Sequence, residues 1–205
     1  MRFARFLYPL LLATCWSWAG CGSKAIVLAP GPVPMPADAA RFEGPAAWSL
    51  WVSEARDARP PANAGQKVGT LYSRFEKAPQ TAFLDQNPHA YIKEQLSLYL
   101  LHRGLEASEA QNARALLTVT VEQFSVKENP GSVYDEIAVA LGYTVRFTDP
   151  KNTELGMIRL EGSKQLKVTV NARKDAEAAF REILADTFAG LAKSADFNRI
   201  LKKLE

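Results

Sequence analysis

Cys21 offers the clearest chemistry in this chain, because its thiol stands where a lipid could be attached. Two arginines, Arg2 and Arg5, precede an apolar stretch from Phe6 to Trp18, and the small pair Ala19-Gly20 leads into the cysteine. At about 13 residues, the stretch is too short to cross a bilayer as a helix, which needs about 20. A charged start, a short apolar middle and small exit residues are typical of a secretory signal peptide.

The order Ala19-Gly20-Cys21 resembles the lipobox of bacterial lipoproteins, in which the chain is cut before the cysteine and the thiol carries lipid. The resemblance implies signal cleavage between Gly20 and Cys21 and acylation of Cys21 with palmitate-type chains. The motif usually has Leu, Val or Ile where this chain has Trp18, and Cys15 is a weaker alternative site. Ordinary secretion and a buried structural cysteine stay open as other interpretations.

The residue after the cysteine bears on location. In enterobacterial lipoproteins an Asp at that place signals retention in the inner membrane, whereas this chain has Gly22. The resemblance therefore implies an outer-membrane protein that faces the periplasm, with the membrane as a partner through lipidated Cys21.

Asp57 and Arg59 form the second candidate site. They flank Ala58 at the end of the first predicted strand of the domain, and two prolines follow. Alternate positions of a strand place side chains on one face, so we expect an ion pair or a shared polar contact. A structural role in the turn is the main interpretation, and contact with a ligand or partner is the alternative.

No residue pattern indicates catalysis or metal binding. Ser73, Ser97 and Ser125 lack a G-x-S-x-G elbow. His89 and His102 lie near opposite ends of one predicted helix, so they cannot share a metal and are expected at the surface. We therefore expect a protein that is not an enzyme and uses no metal or cofactor. A carboxylate pair of the glycosidase type stays open, because a sequence does not reveal its geometry.

The cysteine count and the charge exclude further classes. The chain has 2 cysteines, both at or before residue 21, so the part that follows has no disulfide or cysteine-ligated zinc. Residues 1–20 contain two of the 25 basic residues and none of the 22 acidic ones, which leaves a net charge of +1 for the rest. Nucleic-acid binding needs a clustered basic face, so we predict no nucleic-acid partner.

The chain divides into three parts. Residues 1–20 are predicted to be a lipoprotein signal peptide, 21–45 a Pro/Ala-rich tether, and 46–205 a single α+β periplasmic domain. Proline-rich composition favours extended chain, and the tether from Gly22 could span at most roughly 70 Å in the polyproline form. Alternatively, Ile26-Val27-Leu28 forms a short strand that docks on the domain.

Two periodicities organise the domain. Apolar residues at helical spacing, opened by Asn87-Pro88 and closed by Gly104, predict an amphipathic helix over Pro88–Arg103. A second apolar helical stripe runs from Ala176 to the end of the chain, with a break near Ser194. Alternating or Thr/Val-rich segments predict strands at 48–53, 68–72, 116–126, 137–147 and 157–170, the last with an interruption near Gly162.

These elements predict an α+β fold, a mostly antiparallel sheet of about five strands with two helices packed on one face. Turn residues near Asn129-Pro130-Gly131 and Asp149-Pro150 predict two antiparallel hairpins. Trp48 and Trp51 fall on opposite faces of the first strand of the domain, so one is expected in the core.

The order of these parts resembles the YajG-like family of proteobacterial lipoproteins. The matching features are the lipobox, Leu28-Ala29-Pro30, the strand ending in Arg56-Asp57-Ala58-Arg59, Val68-Gly69, the helix ending at Gly104, the strand from Leu116 and the closing helix. The resemblance implies an outer-membrane-anchored periplasmic domain of unestablished biochemical role. A more distant likeness is to auxiliary lipoproteins of lipid-exporting ABC systems.

Three functions follow as hypotheses. The first is a non-enzymatic, lipid-anchored interaction module of the cell envelope with a protein partner. The second is an auxiliary lipoprotein that binds a lipid or hydrophobic ligand for envelope transport, which predicts an apolar cavity between the Pro88–Arg103 helix and the sheet. The third is a hydrolase of envelope polymers with carboxylates that converge in a cleft.

Overall fold

The structure is a computed structural model that describes residues 25–35, 42, 48–72, 78–131, 134–168 and 171–205. These residues form seven strands and three α-helices. The strands are β1 (Ile26–Leu28), β2 (Leu50–Asp57), β3 (Lys67–Tyr72), β4 (Pro79–Leu84), β5 (Ala115–Asn129), β6 (Glu136–Thr148) and β7 (Glu154–Lys167). The helices are α1 (Pro88–His102), α2 (Ala172–Lys193) and α3 (Ala195–Lys202).

All seven strands belong to one sheet with the order β1-β4-β3-β5-β6-β7, and β2 pairs with β5 beside this path. β2 lies along the first half of β5, from Leu50 beside Ala115 to Asp57 beside Val121. β3 meets the second half of the same edge, with Gly69 beside Val126. The long strand β5 therefore joins two short strands that follow one another along its edge.

The α+β class is confirmed, but the sheet is larger than the predicted five strands and is mixed. The pairs β1–β4, β2–β5 and β3–β5 are parallel, while β3–β4, β5–β6 and β6–β7 are antiparallel. Parallel neighbours need a long connection, here through intervening strands and α1. Such pairings leave no turn signal, whereas the two predicted hairpins, β5–β6 and β6–β7, are confirmed by antiparallel pairing along the strands.

β7 runs without interruption through Gly162, contrary to the expected break. Gly162 pairs with Leu141 of β6, and a Cβ atom at this glycine would lie 2.6 Å from Cγ2 of Ile183 on α2. The glycine therefore gives α2 room to approach the strand rather than ending it.

The helix ends follow local chemistry. α1 starts at Pro88 as predicted, although the Asn87 side chain makes no capping hydrogen bond. It ends one residue before the predicted Arg103, and Gly104 has a φ of 71°, the left-handed conformation expected at a helix stop. The predicted break near Ser194 divides the last helical stripe into α2 and α3, because Ser194 is extended and its Oγ accepts from Phe197 N–H at 3.4 Å. The domain therefore has three helices rather than two.

Aromatic contacts place all three helices on one face of the sheet. Phe124 of β5 stacks on Phe180 of α2 with ring centroids 4.3 Å apart, and meets Tyr91 of α1 edge-on at 6.3 Å. Phe147 of β6 contacts Phe197 of α3 at 5.8 Å. The opposite face of the sheet, called the open face here, carries threonines and charged residues.

Part of the segment predicted to be a tether, 21–45, packs on the domain. Ile26–Leu28 forms β1, which pairs in parallel with Ala82–Leu84 of β4. Leu28 and Val33 are buried in the main core. The alternative of a docked strand is therefore confirmed, since burial of these side chains replaces the solvated chain that a plain spacer would have.

Leu28→Ala tests whether this segment contributes to the stability of the domain. Leu28 is 0% exposed, whereas its neighbour Val27 is 45% exposed. We expect Leu28→Ala to lower the free energy of unfolding by about 2–4 kcal/mol, through lost burial and a cavity. Val27→Ala is the matched control and should change it by less than about 0.5 kcal/mol. Equal effects in urea unfolding would mean that β1 detaches in solution.

Gly69 allows β3 to approach β5 closely. Its φ is 147°, and a Cβ atom there would lie within 1.8 Å of the Val126 carbonyl oxygen. The β3–β4 register shifts between Lys67 and Gly69. Only glycine fits this backbone conformation and this spacing.

Gly69→Ala should lower the free energy of unfolding by at least about 2 kcal/mol, because strain and overlap with a backbone atom add. Gly190→Ala in α2 is the control, since a Cβ atom at Gly190 meets nothing within 4 Å. That control should leave stability unchanged or raise it by up to about 1 kcal/mol. A Gly69→Ala protein as stable as the wild type in thermal unfolding would refute this account.

Candidate functional site

The predicted lipid-attachment and cleavage residues, Gly20 and Cys21, lie outside the described residues, and so does Ser73. The first described residue, Ala25, stands four positions after Cys21. The structure therefore shows how the domain binds the segment that follows the predicted anchor.

Residues 29–35, called the strap, run over α1 and α2 and hydrogen-bond to side chains of both helices. Ala29 N–H donates to the Glu177 carboxylate at 2.9 Å, and the Arg181 guanidinium donates to the Pro30 carbonyl at 2.6 Å. Both side chains belong to α2. The two contacts satisfy one backbone donor and one acceptor just after β1, so the segment leaves the sheet in a fixed direction.

The strap is also fixed to α1. The Tyr91 hydroxyl donates to the Gly31 carbonyl at 2.9 Å, and Val33 N–H donates to the side-chain oxygen of Gln95 at 2.8 Å. Gln95 is a buried polar residue that had no explanation in the sequence. A glutamine on the apolar face of a predicted helix is the signal that could have revealed a docked backbone segment, because buried polar groups need partners.

Phe42 provides a further contact between the N-terminal segment and the domain. Its N–H donates to the Arg103 carbonyl at 3.1 Å, and its ring meets Trp48 at 6.3 Å and Phe197 at 6.0 Å. The Arg103 guanidinium lies 4.4 Å from the ring centroid, a cation–π distance. Of the two tryptophans, Trp48 packs against the core as expected for one of them, and Trp51 faces the open side beside Leu116.

The structure brings Asp57 and Arg59 together in a buried clamp. Arg59 Nε and one terminal nitrogen donate to the two Asp57 carboxylate oxygens at 2.9 and 2.8 Å. The guanidinium also donates to the carbonyls of Gly65, Lys67 and Phe124. Arg59 therefore joins β2, the loop before β3, and β5, with its side chain only 1% exposed.

Hydrogen bonding from Arg59 lowers the pKa of the Asp57 carboxyl below its ordinary value. A carboxyl whose pKa is lower in the folded than in the unfolded chain stabilises the fold above its unfolded pKa, and this contribution is lost as the pH falls through the folded pKa. The clamp should therefore weaken only in acid. Contact of this pair with a ligand or partner stays a prediction. Within the pair, Asp57 is the residue for such a contact, because its side chain is 14% exposed and that of Arg59 is 1% exposed.

The histidines are far apart, as their spacing on α1 requires. His89 lies in the first turn of α1 and His102 is the last residue of the helix. Among the described residues, no group of three or more His, Cys, Asp or Glu side chains is placed to hold a metal ion.

Carboxylates on the open face are paired with arginines. Arg159 contacts Glu122 at 3.3 Å and Glu161 at 3.7 Å, and all three side chains are solvent-accessible. Arg56 forms a bidentate pair with Glu54 on the same face. These carboxylates lie on an exposed sheet surface, so they do not have the enclosed cleft that a glycosidase pair needs to hold a substrate and a water molecule.

A groove of about 390 Å³ is lined by residues of β7 and α2. Its apolar wall consists of Ile158, Leu160 and Ile183, and its polar rim includes Asp186 and Thr187. β7 pairs only with β6 among the described residues, so its outer edge borders the groove. The sequence offered no signal for this groove, because each of its residues also fits the expected core or surface pattern.

The expected cavity between α1 and the sheet is filled. Tyr91, Ile92, Leu96, Tyr99 and Leu100 of α1 are buried in the main core. Tyr99 stacks on Phe188 with centroids 5.0 Å apart, which closes the space between α1 and α2.

No described helix is both long and apolar enough to cross a membrane.

A solved structure is similar in fold to this chain. Protein XCC0632 from Xanthomonas campestris, described as DUF330, is 12% identical, with a TM-score of 0.60 over 86% of this chain and 96% of that chain. A minor lipoprotein from Acinetobacter baumannii is 11% identical, with a TM-score of 0.39 over 71% of this chain and 94% of that chain, a similarity too low to support an argument. No family model and no curated protein matches the chain. The first similarity shows a shared fold alone, and the resemblance to the YajG-like family stays a prediction.

Asp57→Ala tests the clamp, and the exposed pair on the same strand supplies the control. Removing Asp57 leaves a buried guanidinium without its counter-ion, which should cost about 3–5 kcal/mol of the free energy of unfolding. Glu54→Ala breaks an ion pair whose side chains are 49% and 65% exposed, and should cost at most about 1 kcal/mol. Urea unfolding at neutral pH measures both, and similar losses would contradict a structural role specific to Asp57 and Arg59.

Proposed function

We propose that this protein is a lipid-anchored lipoprotein of the bacterial cell envelope that acts through binding rather than catalysis. The domain faces the periplasm, most simply from the outer membrane, and contacts an envelope protein. The observation that carries the proposal is the N-terminal segment, which has a charged start, a short apolar stretch and Ala19-Gly20 directly before Cys21.

The docked strap supports an anchoring role for this end of the chain. Two side chains of α1 and two of α2 hydrogen-bond to backbone groups of the strap. A pull on the N-terminus is therefore passed directly to the core, as a domain held by one acylated residue requires. A free spacer would need none of these contacts.

The described polar residues support a binding role. Arg59 has three carbonyl partners and Asp57, and the open-face carboxylates are paired with arginines. Each of these groups is occupied by another part of the chain, so each has a structural explanation. The alternative of a lipid-binding auxiliary lipoprotein receives no support at the predicted place, because core side chains fill the space between α1 and the sheet.

Cysteine substitutions with palmitate labelling test the proposal. We expect Cys21→Ser to leave the precursor uncut and without incorporated label, because the thiol that would carry the lipid is missing. Cys15→Ser is the matched control, since it removes the other cysteine of the chain and should leave labelling and cleavage unchanged.

The two variants give opposite results if the proposal holds. Label on the Cys21→Ser protein, or loss of label from the Cys15→Ser protein, would reject the assignment of Cys21 as the lipid carrier.

A further inference from the structure

The start of β1 limits how far the domain can stand from its anchor. Ile26 follows Cys21 by five residues and already pairs with β4. Five residues of fully extended chain reach at most about 18 Å. The predicted tether would have allowed roughly 70 Å. If Cys21 is fixed at the membrane surface, the beginning of β1 lies within about 18 Å of the lipid headgroups.

The strand directions show what else lies at this end of the sheet. β4 and β6 start there, and β3, β5 and β7 end there, because Tyr72 pairs with Pro79, Asn129 with Glu136, and Glu136 with Lys167, and β3 is parallel to β5. β1 runs in the same direction as β4 but starts beside Ala82, three residues or about 10 Å further along the sheet. We call this the anchor-side end. The start of α2 belongs to it as well, since α2 follows β7.

Two contacts join described residues of neighbouring strand ends at the anchor-side end. Val168 N–H donates to the Asp135 carbonyl at 2.8 Å, which holds the residue before β6 beside the end of β7. Tyr72 N–H donates to the Glu128 carboxylate at 2.6 Å, which joins the ends of β3 and β5. The described part of this surface is therefore built by the sheet itself.

We propose that the anchor-side end rests on the phospholipid headgroups of the membrane that holds the lipid anchor. This inference depends on the proposed acylation of Cys21 and adds an orientation to it: the strands stand on the membrane, and the opposite end of the sheet projects into the periplasm. The partner of this surface is a lipid bilayer, because the short chain that precedes β1 ends in one.

Side chains at the anchor-side end suit a headgroup layer. The Tyr134 ring is 42% exposed, and Lys167 Nζ lies 4.0 Å from its centroid. A tyrosine with a lysine over its ring presents an apolar body and a polar tip, which fits the boundary between acyl chains and water. Lys127 and Lys174 are exposed at the same end and can donate to phosphate oxygens.

The open face is a poorer membrane surface. Glu54, Glu122 and Glu161 lie on it in exposed ion pairs, which would lose solvation against phosphates. The far end of the sheet, at the turn around Lys151, is distant, because 14 residues of β7 extend over about 45 Å. The two ends of the sheet are therefore separable by a depth measurement.

Fluorescence quenching of the lipidated protein in vesicles tests the orientation. Once Cys21 is acylated the processed chain has no free thiol, so Asn129→Cys and Lys151→Cys each supply one labelling site, at the anchor-side and the far end respectively. Both residues are exposed. With a nitroxide on the lipid headgroup as quencher, we expect at least a threefold stronger quenching of the label at position 129.

A longer tether provides the control for the chain-length argument. An insert of about 12 Gly and Ser residues between Gly22 and Ser23 raises the maximal reach to about 60 Å, and quenching at position 129 should then fall towards that at position 151. The mass of the N-terminal peptide verifies acylation in every sample.

Three outcomes would overturn the inference. Equal strong quenching of both labels means that the domain lies flat, and weak quenching of both means that it stands off the membrane; with acylation verified, either leaves the proposed lipid anchor intact. Absence of the acyl mass from the processed protein rejects the proposed function and the orientation with it.

Discussion

Docking of the first described residues onto the sheet and two helices is the constraint on which the other conclusions depend. β1 adds a strand to β4, Leu28 enters the core, and the strap is hydrogen-bonded to Gln95 and Tyr91 of α1 and to Arg181 of α2. Burial of Leu28 and Val33 supplies the free energy, and the side-chain partners satisfy the backbone groups that would otherwise lose water. The first described residues are thereby part of the folded domain.

This docking acts together with the aromatic core. Phe124 of β5, between Tyr91 of α1 and Phe180 of α2, brings both helices over the centre of the sheet. The strap can contact the two helices at once only because they lie side by side there. The core thus positions the segment that follows the predicted anchor. The Arg59 clamp holds the β2–β3 connection against β5 from the edge of that strand.

Local sequence patterns predicted the long helices and strands, whereas the short strands and the order of the sheet depend on pairing between distant parts of the chain. The alternation over 137–147 gave β6, and Asn87-Pro88 with Gly104 gave α1, because these signals lie within a few residues of each other. The sequence patterns missed β4 (Pro79–Leu84), because this strand is stabilised by pairing with β1 and β3. They left β1 open, because three residues are too few to show an alternating pattern. The Asp57–Arg59 pair was found from spacing alone, but its carbonyl partners lie up to 65 positions away.

The same distinction applies to function. The signal around Cys21 is local, so a sequence reveals it, whereas the consequence of that signal depends on where folded structure begins. With a free tether to residue 45, acylation would set only the compartment of the domain. With β1 starting at Ile26, acylation also limits which surfaces can reach the lipid and which face the periplasm. If the proposed orientation holds, the bilayer occupies the anchor-side end, and the far end and the sides of the sheet, including the groove between β7 and α2, are the surfaces left for a protein partner.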